Sequence, residues 1–381
     1  MQFKHLTFQD KFLYCLIVIY CLFLAYSEAL KNIAVYLMIF YFLFNIILGR
    51  VKISINFINL SVMFHLAVVS IGIWLGINYQ ESLNQYMDVI HIALIFLFFR
   101  EANLNFLSYE RIIQLIFIGF SLAVFAGMYL LFSSSLHRLE LHSVGSINRS
   151  AVYIMYVFVT ALCLFDQYKE KKLNRLFFLF VIILSTISLL LGASRMAIFS
   201  LPLVIIFYLI LAKKLKLKII TLLSLMTILI LSILYYFNPE SFIITKIAKG
   251  FNDPHRIQIW EASVIAWTEN NLWFGIGVGN SIFIDVSDYF NNKALTTNID
   301  NTHNLYLDML LERGLFGLMT FLGFMYSFFF IKEKNTNLRV FIRLLVFSLL
   351  LMGFANITFR YEFALLFVTL LGSYLNPSIK K

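Results

Sequence analysis

The chain has 381 residues, of which 61% are hydrophobic, 17% aromatic and 13% charged, and its mean hydropathy is +0.85. Soluble domains hold about 45–50% apolar and about 25% charged residues, so these values exclude a soluble globular protein and indicate a polytopic membrane protein. The net charge of +10, from 30 Lys and Arg against 20 Asp and Glu, suits nucleic acid or the positive-inside rule, and the placement of the charges decides between them.

Apolar windows bounded by polar residues fall at 12–26, 33–48, 58–76, 84–99, 112–132, 150–165, 176–192, 197–212, 219–237, 314–331, 340–356 and 361–375. Each approaches the roughly 20 apolar residues that a membrane-spanning helix needs, which predicts about twelve spans in a single integral membrane domain over 1–381. With the N-terminus cytoplasmic, about two thirds of the Lys and Arg residues fall in inner segments, including the Lys213 to Lys218 run; this bias places both termini inside. The basic clusters are short loop anchors with no reading module or continuous stripe, so no nucleic-acid partner is expected. Cys15, Cys21 and Cys163 lie in apolar windows without CxxC or Cys/His spacing, which indicates packing rather than zinc or disulfides. Ala25 and Ser27 after the first apolar run give it the form of a secretory signal, but its length and the span that follows at once favour a retained helix.

Polar residues collect in two outer segments, 133–148 and the longer 238–302. The longer one carries Pro239, Pro254, Trp260, Trp267, Trp273 and charges of both signs, and is expected to be folded. Within it, 254–269 reads as an amphipathic helix with Pro254 in its first turn and Ile257, Trp260, Val264 and Trp267 on the face toward the membrane or the bundle. The run GIGVGN (275–280) lacks the spacing and setting of a dinucleotide fingerprint and reads as a tight turn with positive-φ glycines, with the alternative that its N–H groups face an anion.

Several arginines stand at outer ends of spans: Arg195 in the short GASRMA hairpin, Arg149 before the sixth span, and Arg360 before the twelfth. Arg149 and Arg360 read equally as interfacial anchors or as ligand contacts, whereas Arg195, in so short a connection on the less basic side, is a functional candidate. Midspan ionisable groups are scarce, with His65 and His91 the main cases.

The tenth span opens with THNLYLDMLLERGLFGLMTFLGF (302–324), for which Asn301 or Thr302 is the expected N-cap. On a continuous helix His303, Leu307, Leu310, Gly314 and Gly317 share one stripe, with the glycines admitting a neighbouring helix. His303 then sits at the outer interface, either as an ordinary helix-terminal histidine or as a general base for a hydroxyl proton. Asp300 and Glu312 are candidates to orient it, although Glu312 falls on the opposite helix face.

His303-Asn304, nine residues, then Gly314-Leu315-Phe316-Gly317 resembles the H[NSQ]x9GxxG signature of bacterial O-antigen ligases. Arg195, Arg256 in HRIQIWEASVIAW and the GIGVGN run follow in the same family order, so the similarity covers roughly 138–325, with LHSVGSINRSAVY (141–153) a weaker part of it. The resemblance implies a GT-C-like all-α bundle in the bacterial inner membrane, with a periplasmic active site that transfers glycan with inversion and without metal or other cofactor. It implies an undecaprenyl-diphosphate-linked glycan as donor, a sugar of lipid A-core as acceptor, and membrane lipid around both. It further implies that Arg195 and Arg256 bind the diphosphate and that His303 activates the acceptor hydroxyl. Asn304, Arg138, Arg149, Arg360, Gly277 and Gly279 are further substrate-binding candidates, and Gly314 and Gly317 structural ones. O-antigen or capsule polymerases and protein O-oligosaccharyltransferases share the donor and much of the histidine region, so the donor is better specified than the acceptor. One dominant outer loop and an unbroken signature favour ligase over polymerase. A transporter or flippase also fits span number, but the polar residues gather on one side rather than at the midplane.

Overall fold

The computed structural model describes residues 7–133, 138–214, 253–290, 298–331 and 335–379. The ninth predicted span (219–237) and the start of the 238–302 segment lie outside the described residues. Those described form twelve α-helices: α1 (Phe8–Phe23), α2 (Glu28–Ile47), α3 (Phe57–Leu75), α4 (Tyr79–Glu101), α5 (Tyr109–Ser133), α6 (Ile147–Gln167), α7 (Lys172–Gly192), α8 (Arg195–Leu211), α9 (Pro254–Glu269), α10 (Leu305–Phe329), α11 (Thr336–Met352) and α12 (Tyr361–Leu375). Two short 3-10 turns, Asn280–Phe283 and Val286–Asp288, follow α9, and among the described residues there is no strand beyond the isolated bridge Asp285–Asn298. The protein is thus an all-helical, multi-pass membrane protein. Seven helices, α2 to α7 and α10, are long and apolar enough to cross a membrane. The other predicted windows within the described residues fall on α1, α8, α11 and α12, which are shorter at 16, 17, 17 and 15 residues.

Local sequence sets where several helices begin. Thr7, Asn56, Asn78 and Asn335 each precede a helix and accept a hydrogen bond from a first-turn N–H, satisfying donors that the helix itself leaves open. Lipid competes equally for apolar side chains, so close packing rather than hydrophobic burial must join helices. Gly119 of α5 lies against the end of α1, where a Cβ would meet the Leu22 carbonyl oxygen at 2.2 Å, and Gly372 of α12 lies against α4 with Phe96 O at 2.9 Å. α6 is the central helix: 78% of its apolar window is buried, against 39% for α2 to α5 and α7. α7 and α11 pack on it, α11 also packs on α8, and α10 packs on α3.

The signature helix departs from the expected stripe. Its N-cap is Asn304, so His303 precedes the helix instead of heading its face, and Gly314 breaks it with φ 66° and ψ −172°. The neighbour admitted there is a loop backbone: a Cβ on Gly314 would meet the Trp273 carbonyl carbon at 2.3 Å and the Phe274 nitrogen at 2.4 Å. Residues 272–277 dock along the break and take up its open polar groups. Leu315 N–H donates to Leu272 O and Phe316 N–H to Trp273 O, while Ile276 N–H donates to Leu311 O and Gly277 N–H to Glu312 O, all at 2.8–3.0 Å. Non-helical backbone at such a depth is tolerable because protein groups satisfy it. At Gly317 the atoms nearest an added Cβ belong to the same helix, with Arg313 Cβ of the turn before the bend at 2.2 Å.

More ionisable groups are buried than the sequence suggested. Glu312, Asp308 and Arg313 of α10 are each at most 3% exposed. Arg360 pairs with Glu312 and Asp308, Arg313 Nη1 lies 3.1 Å from His65 Nε2, and His65 Nδ1 contacts Thr320 Oγ1 at 2.8 Å. Lys31 pairs with Glu362. Ion pairing lets Lys31 and Arg360 remain charged away from water, while Arg313 meets the His65 ring inside the bundle.

The described part of the 238–302 segment is folded, as expected. Ile259, Ala262 and Ala266 of α9 form a small core with Ile276, Ile284, Val286, Ile299 and Leu311, bordered by Trp260 and Trp267. Of the four residues expected to face the membrane or the bundle, Trp260 and Trp267 border this core. Ile257 and Val264 are exposed, and the small residues Ala262, Ser263 and Ala266 make the close contact.

Candidate active site

Three helix starts and the loop entering a fourth helix converge on one cavity of about 380 Å³. Its walls include Ile147 and Asn148 at the start of α6, Ser194 and Arg195 at the start of α8, Asp253, His255 and Arg256 around the start of α9, and His303 ahead of α10. Arg138, Trp260 and Asn356 complete the polar wall. Helix N-termini carry partial positive charge and open N–H donors, so this end of the bundle favours an anion before any arginine is counted.

The α7–α8 hairpin is only Ala193 and Ser194, with Ala193 in the left-handed region at φ 48°. This tight turn makes Arg195 the first residue of α8 and turns it into the cavity. Ser194 Oγ donates to Asn148 Oδ1 at 3.1 Å, which ties the hairpin to α6. Asp253 lies between two arginines, 2.8 Å from Arg195 Nη2 and 3.9 Å from Arg256 Nε. Arg256 Nη1 also donates to the Ala355 carbonyl in the α11–α12 hairpin at 3.1 Å. Burial works to raise the Asp253 pKa, but the hydrogen bond from Arg195 and the two guanidinium charges overcome it and hold the carboxyl below its usual range.

His303 is fixed by its neighbours rather than by helical geometry. Its backbone is left-handed at φ 53°, its N–H donates to Asn301 Oδ1 at 2.7 Å, and Trp260 Nε1 of α9 donates to the preceding carbonyl of Thr302 at 2.8 Å. A non-glycine residue in this conformation stores strain that the surroundings must hold. Burial first, then the charge of Arg256 and that of Arg149, lower its pKa to about 4, while Asp253 acts in the opposite direction. The imidazole is therefore neutral near pH 7, with an open lone pair beside a cationic wall.

A second, smaller cavity of about 40 Å³ shares His303, Asn148 and Asn356 with the first and is otherwise lined by residues including Arg149, Asp300, Arg360 and Tyr361. The Arg149 guanidinium lies over the Tyr361 ring at 4.2 Å, and Tyr361 has a left-handed φ of 52°.

The structure thus brings together His303, Arg195, Arg256 and Arg138 in one cavity, and His303, Arg149 and Arg360 in the other. Asn304 lines neither in the same way: its side chain accepts from Tyr306 and Leu307 N–H and donates to Phe354 O, so it positions His303. Gly277 and Gly279 stand apart from these cavities, against Ser82 and Gln85 of α4, and with Gly275 they have the expected positive φ values of 72°, 93° and 79° in chain order. Asp300 lines the small cavity, whereas Glu312 is held by Arg360. Asp253 and Asn356 are the residues that sequence reasoning missed. Asp253 could have been noticed as an acid three residues before Arg256, but Asn356, in the span-like GFANITFR, gives no such signal. Among the described residues no three His, Cys, Asp or Glu side chains gather closely enough to hold a metal ion.

No curated protein matches the chain significantly. Residues 178–322 match the family model described as O-antigen ligase. That stretch, less than half of the chain, holds Arg195, Arg256, the glycine loop, His303 and the Gly314 break, and in it the chain is similar to the O-antigen ligase family.

Proposed function

We propose that the protein is an O-antigen ligase that moves a polysaccharide from undecaprenyl diphosphate to a sugar hydroxyl of lipid A-core on the periplasmic face of the inner membrane. The observation that carries this reading is the placement of a neutral, strained histidine on the wall of a cavity that also holds three arginines. The family match supports a glycosyltransferase of the ligase or polymerase type acting on lipid-linked glycan.

In this mechanism Arg195 and Arg256 hold the diphosphate, and Arg138 adds positive charge on the same wall. His303 takes the acceptor hydroxyl proton as the oxygen attacks the anomeric carbon. The bond from that carbon to the diphosphate oxygen breaks, and the electron pair leaves on the phosphate. Guanidinium groups suit this task because they present paired donors to phosphate oxygens and stay charged in a buried setting. Attack opposite the leaving group inverts the anomeric centre. A bound diphosphate also restores basicity to His303, because its negative charge offsets Arg256 and Arg149.

A deletion strain tests the assignment. Loss of polymer from lipid A-core with long lipid-linked chains accumulating supports ligase. Lipid A-core capped by single repeats means polymerase instead.

A further inference from the structure

Asn356 is 2% exposed, and neither its amide nitrogen nor its amide oxygen has a hydrogen-bond partner. Leaving such a group buried and unpaired is costly, and native structures rarely do so without reason. Its surroundings hold it in place. The carbonyls of Gly353, Phe354, Ala355 and Thr358 in the same hairpin accept from Leu305 N–H, Asn304, Arg256 and Tyr156.

Asn356 also lines both cavities, as His303 does. The larger cavity has the space and the arginines for a diphosphate. The smaller one, at about 40 Å³, has room for a hydroxyl or hydroxymethyl group. Its cations are engaged, Arg360 by Glu312 and Asp308 and Arg149 over the Tyr361 ring. What this cavity offers from Asn356 is a neutral amide with donor and acceptor both open. A sugar hydroxyl both donates and accepts, and so matches it.

We propose that the smaller cavity receives the reacting hydroxyl of the acceptor sugar and that Asn356 contacts that sugar directly, orienting its hydroxyl toward His303. This rests on the glycosyl-transfer reading above. Asn356 then selects the acceptor, while the arginines across the site select the donor.

The test uses purified full-length wild-type, Asn356→Ala and Asn356→Asp proteins in lipid nanodiscs, with lipid-linked glycan as donor and lipid A-core as acceptor. Donor-site integrity is followed separately by titration with undecaprenyl diphosphate. For Asn356→Ala, kcat/KM for the acceptor falls about tenfold or more, as expected for a lost hydrogen-bonding pair at a buried site. Its affinity for undecaprenyl diphosphate stays within about twofold, and its melting temperature is equal to or above that of wild type, because an unpaired buried group has been removed. Asn356→Asp, which keeps an accepting oxygen and loses the donor, also loses acceptor efficiency and serves as the test if the alanine variant is unstable. Acceptor kinetics within twofold of wild type in a folded variant overturn the assignment, as does a loss of diphosphate affinity equal to the loss of acceptor efficiency. If wild type itself transfers nothing while binding undecaprenyl diphosphate, the ligase reading falls and this assignment falls with it.

Discussion

Arg195 Nη2 donates to Asp253 Oδ2 across 2.8 Å, and Arg256 Nε lies 3.9 Å from the same oxygen. One carboxylate thus holds two guanidinium groups, and under the proposed function donor binding exchanges that anion for a phosphate. Replacing Asp253 with Asn leaves the arginine wall more positive. Titration with undecaprenyl diphosphate at low ionic strength should then show affinity several-fold tighter than wild type, with the advantage shrinking as salt is added. Unchanged affinity would mean that Asp253 does not compete for the arginines.

The arginines themselves should not be interchangeable with lysine. Arg195→Ala is expected to lower transfer by about 10²-fold or more, the scale for removing one donor from a developing oxyanion. Arg256→Lys should recover only part of what Arg256→Ala loses, because a single ammonium cannot replace paired donors. Rates in nanodiscs, normalised to folded protein, check both.

The pH dependence follows from the charges around His303. Its pKa of about 4 keeps the free imidazole neutral down to that value, so the acid limb of kcat/KM lies well below the usual histidine range. Arg256 lowers that pKa and Asp253 raises it. Arg256→Gln should therefore move the acid limb upward and Asp253→Asn should move it downward. The stability consequence has a definite sign. Below about 6.5 the unfolded chain binds a proton at this histidine that the folded protein does not, so His303 removes stability as pH falls from about 6.5 toward 4 and no more below that. His303→Gln should flatten the melting-temperature profile across that window.

The break at Gly314 gives a stability prediction with an internal control. Gly314→Ala places a Cβ within 2.3 Å of the Trp273 carbonyl at a φ of 66°, so the docked loop must move, and a loss of about 2 kcal/mol or more is expected. Gly323→Ala, in the same helix with nothing within 4 Å of the added methyl, should be neutral or gain up to about 1 kcal/mol. Denaturation in a single detergent compares the two.

The membrane-embedded character of the chain was legible because apolar windows of span length are a local property. Arg195, Arg256 and His303 stood out as candidates because they sit in short recognisable segments, and they line one cavity. The rest depends on partners far away in the chain. Asn304 rather than Asn301 or Thr302 caps α10 because the Gly353–Phe354 carbonyls fix the entry of the helix. The Gly314 break exists because residues 272–277 arrive to satisfy it, which helical periodicity cannot reveal. On α9 the large apolar residues marked a face toward the membrane or the bundle, but periodicity could not show that the close contact is made by Ala262, Ser263 and Ala266. Likewise Glu312, Arg313 and His65 find their ionic and hydrogen-bond partners only in three dimensions.

Glycan transfer by purified protein in nanodiscs, with no ion gradient, lipid-linked glycan as donor and lipid A-core as acceptor, tests the account most directly when wild type and His303→Ala are compared. The expected result is polymer on lipid A-core with wild type and a rate lower by about 10²- to 10⁴-fold for the variant, which remains folded and still binds undecaprenyl diphosphate. Transfer by His303→Ala at the wild-type rate would contradict a general base at this position.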